Sequence, residues 1–200
     1  RGLNEARRLD SIWSGKSLDY IDVTTIADIR AYLDSLPAET TVVLAGGDGT
    51  LNHFINDMGG EAPARDIYYF AAGSGNDFLR DAERTRDDPP FLLNPYLQNL
   101  PTVTVNGMTR YFLNGIGYGI DGYCCEVGDK QRLKSDKPVN YTAIAIKGLL
   151  FGYHRTLADV CVDGDTKAYR AVWLAPTMKG RFYGGGMMCA PGQNRLDPEG

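Results

Sequence analysis

Apolar residues recur at two different spacings along the first part of the chain. In residues 4–13 and 24–36 they lie three or four positions apart, which predicts two amphipathic helices, the second capped by Thr24 or Thr25. Residues 18–23, LDYIDV, alternate apolar and polar side chains and predict a strand between those helices. The pattern therefore predicts helix and strand in alternation from the start.

Two apolar runs come next, and each leads into a glycine-rich loop. TTVVLA, residues 40–45, precedes GGDGT, and DIYYFAA, residues 66–72, precedes GSGND. Between them, LNHFINDM has helical spacing and stops at the glycine pair 59–60. Strand, helix and strand in this order predict a parallel sheet covered by helices on both faces.

The pattern changes to period-two strands and tight turns in the second half. Residues 102–119 predict a hairpin turned at Asn106-Gly107, and residues 158–176 predict another turned at Asp163-Gly164. A helix is expected at about 139–153. We therefore predict an α/β domain over residues 1–100 and an antiparallel β-rich domain over residues 101–200.

The two glycine-rich loops have the composition of a phosphate site. Ligands of parallel sheets collect at the carboxyl ends of the strands, where glycines allow close approach and helix amides favour anions. Asp48 would be repelled by polyphosphate unless it binds Mg²⁺ or a proton, and Asp77 repeats this arrangement after the next strand. The Rossmann and P-loop glycine patterns are both absent from the sequence, so a nucleotide must be held in another way.

Composition excludes several classes of protein. The net charge of −4 argues against nucleic acid as a partner, and 43% hydrophobic with 23% charged residues is ordinary for a soluble globular chain. Four cysteines without C-x-x-C spacing predict reduced thiols. No apolar run approaches the ~20 residues of a membrane span. We expect a cytoplasmic protein.

The two loops together resemble a known family. GGDGTLN at 46–52 and AAGSGNDFLR at 71–80 are similar to motifs of the soluble diacylglycerol kinase catalytic-domain family, which includes bacterial lipid kinases and the sphingosine and ceramide kinases. FLNGIGYGIDG at 112–122 and FYGGGMMCAPGQNRLDPEG at 182–200 resemble further segments of that family. The resemblance covers nearly the whole chain.

The resemblance implies a phosphotransferase of lipid metabolism. Members of the family transfer the γ-phosphoryl group of ATP to the hydroxyl of a neutral lipid. Diacylglycerol is the acceptor expected by default, and its product is phosphatidate, an intermediate of phospholipid biosynthesis. The implied fold is a nucleotide-binding α/β domain of the NAD kinase and diacylglycerol kinase type, followed by a second domain rich in β-sandwich.

The resemblance also assigns roles to residues. ATP and Mg²⁺ are expected at the two loops, with Asp48 as the catalytic residue and Asp48 and Asp77 as metal ligands. A structural Mg²⁺ site is expected at Asp197 and Glu199. The residues expected to contact the cofactor are Gly46, Gly47, Gly49, Thr50, Gly73, Ser74, Gly75, Asn76 and Asp77. Because glycines would set the backbone around Asp48, an asparagine there is expected to leave the fold intact.

This chain departs from the family pattern in three ways. His53 stands where the family commonly has glutamate. A nucleotide loop expected before Arg1 and a segment carrying the general base, expected after Gly200, lie outside the sequence. We therefore expect the chain to be an incomplete catalyst.

Two other functions remain open. NAD kinase shares the GGDGT loop, although the second loop favours a lipid kinase, and a non-catalytic nucleotide-binding or lipid-binding relative would also fit. The role of one residue and the oligomeric state are also open. Asp121 fits either a residue that reaches the cleft or an aspartate of a turn. The chain could form a homodimer.

Contact with the membrane surface is a further open question. Residues 139–156 mix large apolar with basic side chains, and fit either a packed helix or a membrane contact. A basic stretch precedes them, diluted by Asp129 and Asp136, and fits either a solvated loop or a site for anionic head groups. Its basic members are Lys130, Arg132, Lys134 and Lys137.

Overall fold

The computed structural model describes residues 2–135 and 139–198. The helices of this part of the chain are α1 (Gly2–Ala6), α2 (Leu9–Ile12), α3 (Ile29–Ser35), α4 (Asp48–Asp57), α5 (Asp77–Asp81), α6 (Ile120–Arg132) and α7 (Tyr141–Lys147). The strands are β1 (Val42–Gly46), β2 (Ile67–Ala71), β3 (Phe91–Leu92), β4 (Thr102–Val105), β5 (Met108–Tyr111), β6 (Gly115–Gly119), β7 (Thr156–Val162), β8 (Asp165–Val172), β9 (Leu174–Met178), β10 (Phe182–Tyr183) and β11 (Met187–Met188). The described residues also form two 3-10 turns, Val23–Thr25 and Asn94–Leu97, and a π-helical segment, Gly148–Gly152.

A mixed three-stranded sheet carries the glycine-rich loops. Strands β1 and β2 are parallel, with Leu44 opposite Tyr69, and β3 runs antiparallel to β2. The predicted parallel pair is therefore confirmed, and the α/β class with it. Leu51, Phe54 and Ile55 form the buried face of α4, at the helical spacing that the sequence predicted, and belong to one core cluster with the sheet residues.

The chain forms two compact units, which are described separately. Unit 1 contains the residues up to Gly115 together with those from Met178 onward, and unit 2 contains Ile116–Thr177. These units differ from the predicted division into residues 1–100 and 101–200. The predicted division was placed where the sequence pattern changes, whereas the units are defined by which parts of the chain lie in contact.

Side-chain hydrogen bonds explain the extent of unit 1. Asn56 on α4 donates to the carbonyl of Tyr111 and accepts from its amide, both at 2.9 Å, which holds the β4–β5 hairpin. The final segment joins α5 because Arg181 and Arg195 both form ion pairs with Asp81.

Unit 2 combines helices α6 and α7 with paired strands. Ile120, Cys124 and Ile144 are its buried core. Strands β7 and β8 form an antiparallel hairpin turned at Asp163-Gly164, as predicted, and β6 pairs with β9. In the described residues these are two-stranded sheets, so the β-sandwich stays a prediction.

Two local predictions are wrong. Residues 18–22 are not a strand: the side chain of Asp22 accepts the amide of Thr24 at 3.0 Å and starts a 3-10 turn, a local bond that competes with an extended backbone. The cap of α3 is Asp28, whose carboxylate accepts the amide of Ala31 at 2.9 Å, and not Thr24 or Thr25.

Helix α6 also differs from the sequence-based expectation. Lys130 and Arg132 lie in its last turn, and Lys134 is the second residue after its end, so most of the basic stretch is helical or close to a helix rather than in a loop. Lys137 and Asp136 lie outside the described residues. The predicted helix at 139–153 is confirmed by α7 and the π-helical segment that continues it.

Candidate functional site

The two glycine-rich loops leave the same edge of the sheet. Strand β1 ends at Gly46 opposite Ala71, the last residue of β2, and the strands are parallel. Helix α4 begins at Asp48 and helix α5 at Asp77. The structure thus brings together the ten residues predicted for the cofactor site: Gly46, Gly47, Asp48, Gly49, Thr50, Gly73, Ser74, Gly75, Asn76 and Asp77.

Two of the glycines, Gly47 and Gly73, allow the backbones of the two loops to contact each other. A Cβ atom on Gly47 would lie 2.9 Å from the carbonyl oxygen of Gly75, and one on Gly73 would overlap the backbone of Gly47. The amide of Asp48 donates to the carbonyl of Gly75 at 3.3 Å, and that of Gly73 to the carbonyl of Gly46 at 3.0 Å. Packing between the loops therefore requires Gly47 and Gly73. From the sequence, these glycines were predicted instead to let the backbone approach a ligand closely.

Tyr69 supports the first loop from below. Its hydroxyl donates to the carbonyl of Gly46 at 2.9 Å inside the core. Burial, and then the negative charge of Asp48, raises the pKa of this hydroxyl. Tyr69 therefore stays protonated and keeps its hydrogen bond at physiological pH.

Gly49 and Thr50 present the amides that suit an anion. Both lie in the first turn of α4, where backbone N–H groups have no carbonyl one turn earlier to bond. Gly49 is exposed, and a Cβ atom there would meet nothing within 4 Å. The helix therefore starts with accessible donors and open space.

Asp48 joins the two loops through its side chain. One carboxylate oxygen accepts the amide of Asp77 at 2.9 Å and the other accepts the amide of Phe78 at 3.1 Å, so Asp48 caps the N-terminus of α5. The expectation that the glycines alone set the local backbone is wrong. The carboxylate itself fixes one loop against the other, and a substitution there will affect stability.

Asp77 is a buried carboxylate held by a distant part of unit 1. It accepts the amide of Gly185 at 2.9 Å. Burial raises the pKa of Asp77, the charge of Asp48 raises it further, and the bond from Gly185 opposes the shift. Repulsion between two nearby carboxylates is the condition that a bound cation relieves.

The contact from Gly185 was missed by the sequence argument. Gly184, Gly185 and Gly186 all have positive φ, at 63°, 89° and 119°, and form the turn between β10 and β11. Three consecutive glycines were the available signal. Their position beside Asp77 depends on contacts between distant parts of the chain, so the neighbouring residues in sequence could not predict it.

The donor set fits Mg²⁺ bound together with a nucleotide. Mg²⁺ is commonly held by one or two carboxylates plus phosphate oxygens and water, and Asp48 and Asp77 supply two such groups. Within residues 2–135 and 139–198 there is no cluster of three or more metal-ligating side chains. Asn76 adds a buried side-chain oxygen that lacks a hydrogen-bond partner among the described residues and can accept from a ligand.

The other predicted residues are placed as follows. Asp197 is exposed, and its backbone carbonyl accepts from Lys179 at 3.1 Å, while Glu199 lies outside the described residues. The second Mg²⁺ site therefore stays a prediction. His53 is exposed on α4, and Asp121 lies in the first turn of α6.

A buried ion-pair network lies at the end of α5. Asp81 accepts from Arg181 at 2.8 Å and pairs with Arg195, which also donates to Asn114 at 2.9 Å and stacks over Phe78 at 4.8 Å. Burial alone would raise the pKa of Asp81, but the two arginines outweigh it and hold the pKa below its usual value. The network fixes the short helix that presents Asp77.

The chain is similar in sequence to known proteins. Residues 4–108, more than half of the chain, match the family model described as "Diacylglycerol kinase catalytic domain". A relative from Bacillus subtilis (strain 168), named "Putative lipid kinase YtlR", is 24% identical over 169 residues, which cover 75% of this chain and 53% of that protein. The chain thus spans about half the length of that relative. No solved structure matched.

None of the helices in the described ranges is long and apolar enough to cross a membrane.

Proposed function

The chain belongs to the diacylglycerol kinase catalytic domain family, and we propose that it carries the nucleotide site of an ATP-dependent lipid kinase. The acceptor we propose is the hydroxyl of a neutral lipid, with diacylglycerol giving phosphatidate. The relative from Bacillus subtilis, with its name "Putative lipid kinase YtlR", supports the same class of activity. We also propose a cytoplasmic protein that meets its substrate at the membrane surface.

One observation carries the proposal. The carboxylate of Asp48 clamps the loop after β2 to the loop after β1, so the first turn of α4 and the buried Asp77 belong to one rigid edge. Anion donors and two carboxylates at one edge suit a nucleotide polyphosphate with its metal ion. Phosphoryl transfer depends mainly on such positioning and charge neutralisation.

Each group then has a definite role. The amides of Gly49 and Thr50 bind phosphate oxygens, and Gly49 leaves room for them. Asp48 and Asp77 would hold Mg²⁺, which would supply charge neutralisation at the transferring phosphoryl group. Asn76 accepts a hydrogen bond from the nucleotide or from water. The general base is not assigned to any described residue.

Product analysis tests the reaction. The full-length protein is incubated with labelled ATP, Mg²⁺ and a panel containing diacylglycerol, sphingosine-like bases and NAD, and the labelled product is identified. We expect phosphatidate. Labelled NADP formed as fast as any lipid product would assign the NAD kinase function instead, and ATP binding without any product would indicate a non-catalytic relative.

A pair of glycine variants tests the site itself. Gly49→Val fills the open space at the start of α4, whereas Gly122→Val makes the same change in the first turn of α6, where a Cβ atom also meets nothing within 4 Å. Both variants should fold. We expect ATP affinity to fall at least about tenfold, or ~1.4 kcal/mol, for Gly49→Val alone. Equal affinity for both variants would place the nucleotide elsewhere.

A further inference from the structure

The most exposed apolar cluster of unit 2 is a run of three consecutive residues. Leu149, Leu150 and Phe151 are 50%, 66% and 82% exposed. They lie in the π-helical segment Gly148–Gly152 that continues α7. We call these three residues the apolar tip. Adjacent large apolar side chains with this exposure call for a binding partner.

The shape of the apolar tip argues against a packed protein partner. A helix that docks in a groove uses positions three and four apart, because these share one face. Consecutive positions on a helix point in widely different directions. A fluid hydrocarbon layer can surround all three side chains at once, whereas the surface of a folded protein reaches only one side.

The charges around the apolar tip favour an anionic surface. Lys147 directly precedes the segment, and His154 and Arg155 follow it; all three are exposed. On the neighbouring helix α6, Lys130 and Arg132 are paired with Glu126 and Asp129 and add little net charge. Basic residues beside an apolar insertion are the pattern of proteins that bind anionic interfaces.

We propose that the apolar tip inserts into the surface of a bilayer containing anionic phospholipid, with Lys147 and Arg155 at the level of the head groups. This inference deepens the proposed function and rests on it for the contact with a membrane. It concerns a surface of unit 2, and because binding needs neither ATP nor an acceptor, it can be measured apart from the kinase reaction. It gives a peripheral protein a defined point of contact with the membrane.

Vesicle binding tests the proposal. The full chain is mixed with vesicles of phosphatidylcholine, with or without phosphatidylglycerol, and bound protein is measured by co-sedimentation. The variant Leu149→Ser/Leu150→Ser/Phe151→Ser should lose at least about tenfold in partition coefficient, given ~0.8 kcal/mol per buried methylene group. The matched control, Val105→Ser/Met108→Ser, changes residues that are 58% and 64% exposed in the β4–β5 hairpin and should bind like the parent.

Charge variants and a fluorescent probe complete the test. Lys147→Gln and Arg155→Gln should each weaken binding to the anionic vesicles about fivefold, with little change on phosphatidylcholine. Phe151→Trp should show a blue-shifted emission that vesicles induce and lipid-borne quenchers reduce. Absence of binding by the parent, equal binding by the triple serine variant, or no spectral shift would each overturn the proposal. A dimer that the triple serine variant converts to monomer, with vesicle binding unchanged, would show that the tip contacts a second copy instead.

Discussion

Replacing Asp48 by asparagine tests whether one carboxylate has both a structural and a catalytic role. The side chain accepts the amides of Asp77 at 2.9 Å and Phe78 at 3.1 Å. Asparagine has almost the same shape but offers only one acceptor oxygen, since its other terminal group is an NH₂ donor. One of the two amides of α5 would therefore face a donor.

The cost in stability follows from the lost bond. Hydrogen bonds to charged groups contribute about 1.5–3 kcal/mol, and an unpaired buried amide costs a similar amount. Asp48 is half-buried, so water can replace part of the loss. We expect the free energy of unfolding to fall by about 1–2 kcal/mol, which leaves a domain of ordinary stability folded.

The expected effect on phosphoryl transfer is larger. A neutral amide is a poorer ligand for Mg²⁺ than a carboxylate. A loss of ~2.7 kcal/mol or more in transition-state stabilisation corresponds to at least about 100-fold in rate. Because the variant stays folded, partial unfolding cannot explain a loss of this size.

The assay compares two asparagine variants of the same helix. Initial velocity of the full-length protein is measured at saturating ATP and diacylglycerol, and unfolding is followed in urea by circular dichroism. Asp57→Asn, at the exposed C-terminal end of α4, is the control and should keep both activity and stability. If Asp48→Asn retains more than about a third of the parent turnover, a change under ~1 kcal/mol, Asp48 is only a structural link between the loops. Unchanged stability would contradict the role assigned to its two hydrogen bonds.

Three further predictions concern the surroundings of the site. Asp81→Asn leaves Arg195 buried without its carboxylate and should lower the free energy of unfolding by about 3–5 kcal/mol, measured in urea. Since the folded pKa of Asp81 is depressed, its contribution is fully present above the usual value of 3.8 and is lost as the pH falls through the folded pKa, so acid should destabilise the parent more than Asp81→Asn. Gly186→Ala, at φ 119° and against an arginine side chain, should cost about 1–3 kcal/mol, whereas Gly122→Ala in open space within α6 should stabilise by about 0.5–1 kcal/mol.

The control for the Asp81 predictions is a carboxylate that pairs with one of the same arginines. Glu83 also pairs with Arg181, but its side chain is 79% exposed, so Glu83→Gln should change stability by less than ~1 kcal/mol. Equal losses for the Asp81 and Glu83 variants would show that burial does not strengthen the network. Parallel stability curves of the parent and Asp81→Asn between neutral and acid pH would refute the depressed pKa.

The sequence predicted the elements whose signals are local. Alternating side chains around Asn106-Gly107 and Asp163-Gly164 suffice for a hairpin, because turn chemistry and strand pattern agree. The β-branched run before Gly46 and the helical spacing after it likewise agree, and both elements form. In each case, the neighbouring residues in sequence determine the structure.

Predictions failed where one local feature, a side-chain hydrogen bond or the backbone angle of a glycine, decides between alternatives. Residues 18–23 have a strand pattern, but Asp22 bonds to the backbone two residues later and turns the chain. Helix α6 begins after Gly119, whose φ of 102° permits a sharp change of direction between strand and helix. The sequence around such a glycine does not show whether the chain continues as a strand or begins a helix.

The glycine-rich loops show the same limit at the candidate site. Their position at adjacent strand ends followed from sequence, but the use of each glycine did not: Gly47 and Gly73 are needed for contact between the loops, and Gly49 leaves space for a ligand. Sequence treats these residues alike because it holds no information on what lies opposite a missing side chain. A valine at position 73 should therefore unfold the site, whereas a valine at position 49 should leave it folded and block it. The chemistry expected of Asp48 depends on this distinction, since its carboxylate can face a bound cation only while the two loops remain in contact.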